Sequence, residues 1–510
     1  MRVEDFSDLP EEGHFDFVVV GSGFGGSVAA LRLAEKGYSV AVLEAGRHFR
    51  DRDFAGSNWN LAKTFWLPEF FLRGIMRLTL LKDVLILSGA GVGGGSLVYA
   101  NTLLEPGDRF YDSEQVKRLA PNLRELLRPH YAMAKRMLGV AVNPRLFPAD
   151  ETLREIAEET GRGDTFEPTK VGVFFGEPGK TVPDPYFEGA GPERAGCLFC
   201  GACMVGCRHN AKNTLAKNYL YLASGKGARI FSLSQVSRIE EGPKGFELSV
   251  RRPGWGGGRR KLRCAKLVVS AGVLGTIRLL LSPENRLSAL PARLGRDVRT
   301  NSEVIMGATD LAGKKDYSQG LAISAGFWAD EDTHIEAVRY PEGSDAMSLL
   351  SIPWKKGLGL FKRLRLAWPL GWAKNSTILL VMQALDTRLR LVLKGGRLHS
   401  EPEPGSAPLP LSIPAADRTL ERYCEKTGSS GLASAAGELL GVSTTAHILG
   451  GAVMARGPED GVTGLDGKVF GYDNLWILDG SVVPANLGVN PSLTITALSE
   501  HAMSQVPPKP

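Results

Sequence analysis

The stretch that most constrains the fold is FDFVVVGSGFGGSVAALRLAEKGYSVAVLEAG, residues 15–46. Phe15–Val20 is almost wholly apolar, the pattern of a strand buried on both faces of a parallel sheet. Gly21, Gly23 and Gly26 follow at once and spell G-x-G-x-x-G. Val28, Leu31 and Ala34 then recur at helical spacing on one face, up to Gly37, and YSVAVLE reads as a second strand ending in Glu44. In this context Gly21 permits a tight turn, Gly23 lets a pyrophosphate touch the backbone, and Gly26 lets helix and strand pack closely. The helix N-terminus offers free N–H groups and partial positive charge to phosphates, and Glu44 is placed to accept from ribose hydroxyls. A dinucleotide site in a doubly wound α/β domain is the expectation; the motif alone does not separate FAD from NAD.

A chain of 510 residues exceeds one ordinary domain, so two packed domains are expected. Its net charge of +6 is mild, and no long basic run is interleaved with stacking aromatics, which argues against a nucleic-acid partner. The acidic start MRVEDFSDLPEEGHFDF lacks the apolar stretch of a signal peptide, and no run of about 18 apolar residues marks a spanning helix. A cytoplasmic location is the expectation. Four of the six cysteines fall within CLFCGACMVGC, Cys197 to Cys207, which is not the usage of a disulfide scaffold. Their C-x2-C-x2-C-x3-C spacing is that of a ferredoxin run and makes Cys197, Cys200, Cys203 and Cys207 candidate iron–sulfur ligands. Zinc is a second reading, although one tetrahedral ion would be strained within so short a run. Buried or redox-active thiols are the third, and all three remain open at this point.

A second glycine cluster, SGAGVGGGSLVYAN (Ser88 to Asn101), has no helical period and leaves few side chains on one wall, suiting close passage over a flat ring. Near the C-terminus, LWILDGS reads as a strand delivering Asp479 to a loop. NPSLTITALSEHA reads as a helix capped by Asn490 and Pro491. Together GSGFGG, GAGVGGGSLVYAN, LVVSAGVLGTIRLL, HILGG and DGSVVPANLGVNPSLTITALSE resemble the glucose–methanol–choline (GMC) oxidoreductases, and among them the non-covalent FAD cholesterol oxidases. The resemblance spans most of the chain. It implies FAD, held by Gly21, Gly23, Gly26, Glu44, Gly91, Gly94, Gly95, Ser96, Asn101, Asp479, Gly480 and Asn490. It further implies a Rossmann-like FAD-binding domain (1–110, 195–300 and 440–510) interleaved with an α+β substrate domain built on an antiparallel sheet (111–194 and 301–439).

Oxidising an alcohol with a flavin requires a hydroxyl proton to be removed while hydride leaves the same carbon. His447 and Asn490, each beside glycine, are the natural pair to hold that hydroxyl. The resemblance gives both a place at the substrate oxygen, with His447 as base or hydrogen-bond acceptor, although Ile448 stands where the family has proline. Glu336, in THIEAVRYPEG, matches a buried glutamate that orients a steroid and shuttles a proton during double-bond isomerisation. The expected activity is oxidation of a bulky apolar alcohol, a 3β-hydroxysteroid first, with O2 or another electron acceptor. The alternative is a GMC dehydrogenase for long-chain or other apolar alcohols that passes electrons to an acceptor other than O2, an iron–sulfur cluster being one route. A lyase or a binding module is disfavoured by the presence of both His447 and Asn490. WKKGLGLFKRLRLAWPLGW, residues 354–372, combines tryptophans with basic residues, and residues 59–78 add a similar stretch. Both suit peripheral contact with a membrane.

Overall fold

The structure is a computed structural model that describes residues 1–354, 366 and 370–510. Strand β1 (Glu12–Val20) leads through the glycine turn into helix α1 (Phe24–Glu35) and then β2 (Val40–Leu43). β3 (Arg229–Ser232) and β4 (Arg259–Val269) complete a parallel core in the order β3–β2–β1–β4, with Leu475–Ile477 on the other side of β4. Val20, Leu43, Val269 and Ile477 therefore end at one edge. That carboxyl edge is where open α/β sheets bind ligands. Between β3 and β4, Gln235–Gly242 and Gly245–Arg251 form an antiparallel meander with β4, so RRPGWGGGRR is a hairpin turn.

Close approach explains the glycine motif. Gly21 has φ +98°, and a Cβ there would lie 2.1 Å from the Ser270 carbonyl oxygen. A Cβ on Gly26 would lie 2.1 Å from the Gly21 carbonyl oxygen. Gly25 is tighter still, with its Cβ position 1.7 Å from the Leu478 carbonyl oxygen. Backbone atoms cannot swing aside as a side chain does, so Gly25→Ala should destabilise the chain by several kcal/mol or more. A thermal melt of the purified variant checks this; a wild-type midpoint would contradict the packing. The one-faced reading of α1 was too narrow. Ala29, Ala30 and Leu33 are buried along with Val28, Leu31 and Ala34, because sheet and helices cover opposite sides of it.

A second sheet is antiparallel. β5 (Val304–Thr309), β6 (Ile323–Trp328), β7 (Thr333–Val338), β8 (Ser376–Gln383) and β9 (Ser430–Ser434) lie in the order β9–β5–β8–β7–β6. Residues directly opposed in such a ladder share a face. The register aligns Ile305, Leu380, Glu336 and Gly326 in one lateral row. The neighbouring row, Val304, Val381, Ile335 and Phe327, projects the other way and packs on α2 (Pro148–Glu159) and α3 (Pro414–Thr427) through Leu153, Ile156, Leu420 and Tyr423. Glu336 is thereby turned away from the helices.

Two expectations need correction. Helix α4 (Ser492–Ser504) has no side-chain cap, because the Asn490 carboxamide is engaged elsewhere. The basic segment RHNAKNTLAKNYL, residues 208–220, reads in the sequence as an amphipathic helix with a basic collar, but most of it is not α-helical. Lys212 is buried and donates to the carbonyls of Leu97, Tyr99 and Cys203, and the first α-helical residue is Tyr219. The membrane segment 354–372 falls largely outside the described residues.

Candidate active site

The site is assembled on the segment that leads into β5. Asp297, Asn301 and Ser302 all take left-handed φ, +57°, +58° and +46°, strain of the kind that persists where surrounding bonds over-determine it. Those bonds go to two C-terminal loops. The Asn301 carbonyl oxygen Oδ1 accepts from Leu487 N–H (3.1 Å) and Gly488 N–H (2.9 Å), and its Nδ2 donates to the Val489 carbonyl (3.0 Å). Asn486 Oδ1 accepts from Asn301 N–H in return, at 2.9 Å. This clamp fixes the loop bearing Asn490. On the other side, Thr445 Oγ1 donates to the Thr300 carbonyl (3.0 Å), and Glu303 Oε2 accepts from Ala446 N–H (2.7 Å). The other oxygen of Glu303 forms an ion-pair contact with His447 Nδ1.

His447, Asn490 and Glu336 meet there, together with Glu303. Asn490 Nδ2 donates to Glu336 Oε2 at 3.2 Å. Glu336 Oε1 and Asn490 Oδ1 are buried and have no partner among the described residues. Burial pushes the Glu336 carboxyl up to about 7, against the opposing pull of the Asn490 hydrogen bond and the His447 charge. For His447 burial works to lower the pKa, but the Glu303 carboxylate outweighs it and the value rises above the ordinary 6.5. The Glu303 carboxylate thus favours the charged form, in which the ring is a donor. Arg339 does not pair with Glu336; it pairs with the buried Asp150. The Ile305–Leu380 row extends from Glu336 as an apolar floor and reaches a cavity of about 70 Å³ lined by Leu85, Leu87, Ile305, Ile378, Met347 and Leu432.

The residues expected at the cofactor gather at the carboxyl edge of the parallel sheet. A Cβ on Gly23 would meet no protein atom within 4 Å, unlike its crowded neighbours, so this turn is a cradle open to a ligand. Glu44 accepts from Ser22 N–H (3.1 Å), Ser22 Oγ (2.6 Å) and Gly46 N–H (2.8 Å), three of the roughly four bonds a carboxylate can take. The second glycine loop lies on the first: a Cβ on Gly94 would lie 2.7 Å from Gly23 Cα, whereas Gly95 meets only the Phe24 ring, at 3.6 Å. Gly91 turns with φ +134° beneath Leu97. Asn101, in the left-handed region at +72° and fully buried, leaves both amide atoms unpartnered among the described residues. An orphaned amide and an open glycine cradle fit a flavin dinucleotide. Two expected ligands are engaged within the protein. Ser96 Oγ donates to the Gly93 carbonyl and accepts from Leu215 N–H, stapling the loop. Asp479 accepts from Ser481 N–H (2.8 Å) and Thr276 Oγ1 (2.5 Å), and Gly480 follows it beneath Ile448.

The metal assignment of Cys197, Cys200, Cys203 and Cys207 is corrected. Among the described residues no three His, Cys, Asp or Glu side chains form a metal-holding group. Cys197, Cys203 and Cys207 pack with Val171, Val173, Leu321 and Phe199 as small hydrophobes. Burial drives the Cys197 thiol up and takes Cys203 to about 11, which favours the neutral form.

Glu303, Asn301 and Asn486 had no mark in the sequence. The polar run TNSE immediately before the apolar VIMGAT is the one local hint, and only the fold shows that it meets both C-terminal loops.

Comparison with known proteins places these findings in a family. Residues 192–290 and 392–499 each match a family described as GMC oxidoreductase, and residues 19–52 match an NAD(P)-binding Rossmann-like domain. The chain is 45% identical to a cholesterol oxidase of Mycobacterium tuberculosis, covering 97% of this chain and 91% of the relative. It is 41% identical to a cholesterol oxidase of Acinetobacter baumannii, covering 97% and 95%. Among solved structures, pyridoxine 4-oxidase from Mesorbium loti shares the fold, with a TM-score of 0.62 at 15% identity, over 96% of this chain and 98% of that one.

Proposed function

The chain belongs to the GMC oxidoreductase family, and from that premise we propose that it oxidises the 3β-hydroxyl of a sterol such as cholesterol, with FAD as its cofactor. The observation that carries this reading is the pair of unpartnered acceptors, Glu336 Oε1 and Asn490 Oδ1, beside His447 at the end of an apolar floor. Bound FAD, held by the Gly21–Gly26 turn, Glu44 and Asn101, supplies the hydride acceptor. The protein's own groups handle the oxygen and the proton. His447, charged through Glu303, donates from Nε2 to the sterol oxygen and orients it. Glu336, poised near neutrality, takes the hydroxyl proton, so the acceptor role expected of His447 passes to the carboxylate. Asn490 holds Glu336 by its N–H2 and keeps its own carbonyl oxygen for the substrate. Once the proton taken from the hydroxyl has passed on to solvent, the Glu336 carboxylate is also placed to take a C4 proton from the ketone and return it to C6, converting the Δ5 double bond to Δ4.

Anaerobic addition of cholesterol or of a C12 alcohol tests the reading. Cholesterol should bleach the flavin band faster, and readmitted air should restore it if O2 is the acceptor. Bleaching by the linear alcohol alone would move the assignment to long-chain alcohols.

A lipid surface is the proposed source of the sterol. No helix among the described residues is long and apolar enough to cross a membrane. However, Phe70, Phe71 and Trp255 stand 73%, 75% and 77% exposed. Trp255 Nε1 donates to the Glu69 carbonyl at 2.9 Å, joining the two tips into one crest. Arg251, Arg259 and Arg260 line the adjoining cleft, and aromatic rings beside cations favour an anionic interface. Co-sedimentation with phosphatidylglycerol vesicles should fall several-fold in F70S/F71S/W255S; unchanged binding would remove the crest from this role.

A further inference from the structure

Glu303 stands just before β5, two strands over from Glu336 on β7 with β8 between them, and its carboxylate reaches to the catalytic loop. It is 1% exposed, at the end of the strained Asp297–Ser302 segment and immediately before β5. One oxygen accepts from Ala446 N–H at 2.7 Å and the other contacts His447 Nδ1, so a single side chain holds both the backbone and the ring of the catalytic loop. The Ser443 hydroxyl donates to the Glu303 carbonyl at 3.3 Å, fixing the same loop a third time. With Nδ1 engaged, only Nε2 is left for the substrate. The His447 backbone N–H donates to Thr445 Oγ1 (2.9 Å), which ties down the main chain of the loop at the histidine.

We propose that Glu303 is the positioning residue of the active site, fixing the orientation of His447 and keeping its ring charged so that Nε2 presents a hydrogen-bond donor to the sterol oxygen. This rests on the sterol-oxidising reading above. The geometry assigns a division of labour between two carboxylates. Glu336 faces the substrate with a free oxygen, whereas Glu303 approaches the imidazole from behind and touches no substrate position. The charged groups bearing on His447 are Glu303, from the segment before β5, and Glu336, from β7. On its far side Glu303 borders a cavity of about 140 Å³ that also exposes Asp417 and Glu438, both anionic and of a sign that would not discharge the imidazolium. Glu303→Gln keeps the shape and an acceptor for Ala446 N–H but loses the negative charge. Burial then acts on His447 with less opposition and favours the neutral ring.

The test uses FAD-loaded wild type, E303Q and E303D. The first readout needs no substrate: the His447 ring is followed by NMR titration, with H447Q identifying its signal. E303Q should lower the midpoint by about one unit or more, whereas E303D should restore most of it. The second readout is kinetic. In E303Q, kcat on cholesterol should fall ten- to a hundredfold with KM within about threefold, and the alkaline limb of kcat/KM should move to lower pH, because the charged ring is lost sooner. E303D should recover the pH limb more fully than kcat, since the charge returns but the reach is shorter. An unmoved His447 midpoint in folded, flavin-loaded E303Q would overturn the proposal, as would a wild-type kcat and pH limb. If the wild type oxidises no sterol, the functional reading fails, while the titration still decides the role of Glu303.

Discussion

His447→Gln should cut cholesterol turnover by about 10²-fold or more, the usual worth of a group that acts on a proton or a developing charge in the transition state. FAD should stay bound, because His447 contributes to none of the cradle formed by Gly23, Glu44 and Asn101. Glutamine retains an N–H2 but carries no charge and presents no ring to the Glu303 carboxylate. The loss should therefore fall on kcat, with KM altered little, since the apolar row proposed to face the sterol body is untouched. Anaerobic single-turnover bleaching isolates the chemical step from product release. A flavin-loaded H447Q that bleaches at the wild-type rate would remove His447 from the reaction. The comparison with E303Q is informative. If His447 acts through its charge, E303Q should show a smaller version of the same defect, and adding H447Q to E303Q should cost little beyond H447Q alone.

What could be read in the sequence follows from how local each signal is. The parallel core was legible because a fully apolar strand, a glycine turn and a helix are contiguous between Phe15 and Gly37, so one short window contains the whole unit. Glu336 was legible as a strand residue because Ile335 and Ala337 alternate with it, and the ladder places them on the helix-covered face as the alternation requires. The failures are non-local. Asn490 carries the residue type of a helix cap and stands beside Pro491, yet it serves a glutamate 154 residues away. Lys212 looks like a surface cation in a basic segment, but three carbonyls from two loops satisfy its ammonium in the interior. The cysteine run has ferredoxin spacing, whereas spacing constrains only the order of the thiols and not their convergence. Glu303 was invisible for the same reason: its partners Ala446 and His447 lie more than 140 residues further along the chain.

Glu336→Gln should leave a protein that folds, binds FAD and fails in a second way. Without an ionisable oxygen at this position no group is placed to move a proton between ring carbons, so isomerisation should fall by about 10³-fold and the unconjugated 3-oxo-5-ene should accumulate. Oxidation should fall as well, by about 10²-fold, if the same oxygen takes the hydroxyl proton. Ultraviolet absorbance of the conjugated enone separates the two steps, and rapid appearance of the 4-ene in E336Q would dismiss Glu336. The pH dependence has a definite sign. The reaction needs the carboxylate, so wild-type kcat should rise with pH through about 7, and E336Q should lose that acid limb. Stability runs the opposite way. The native pKa of about 7 lies above the ordinary 4.5, so the wild type is favoured while the acid is neutral and loses stability as pH climbs from about 4.5 to 7. The full cost of holding the buried carboxylate, on the order of 3 kcal/mol, applies above that range. E336Q carries no such cost. Its melting temperature should match the wild type near pH 4 and exceed it at pH 8, even as its activity is lost. A catalytic acid held near neutrality by burial is thus a site where the fold gives up stability for reactivity, and a melting curve at two pH values measures how much.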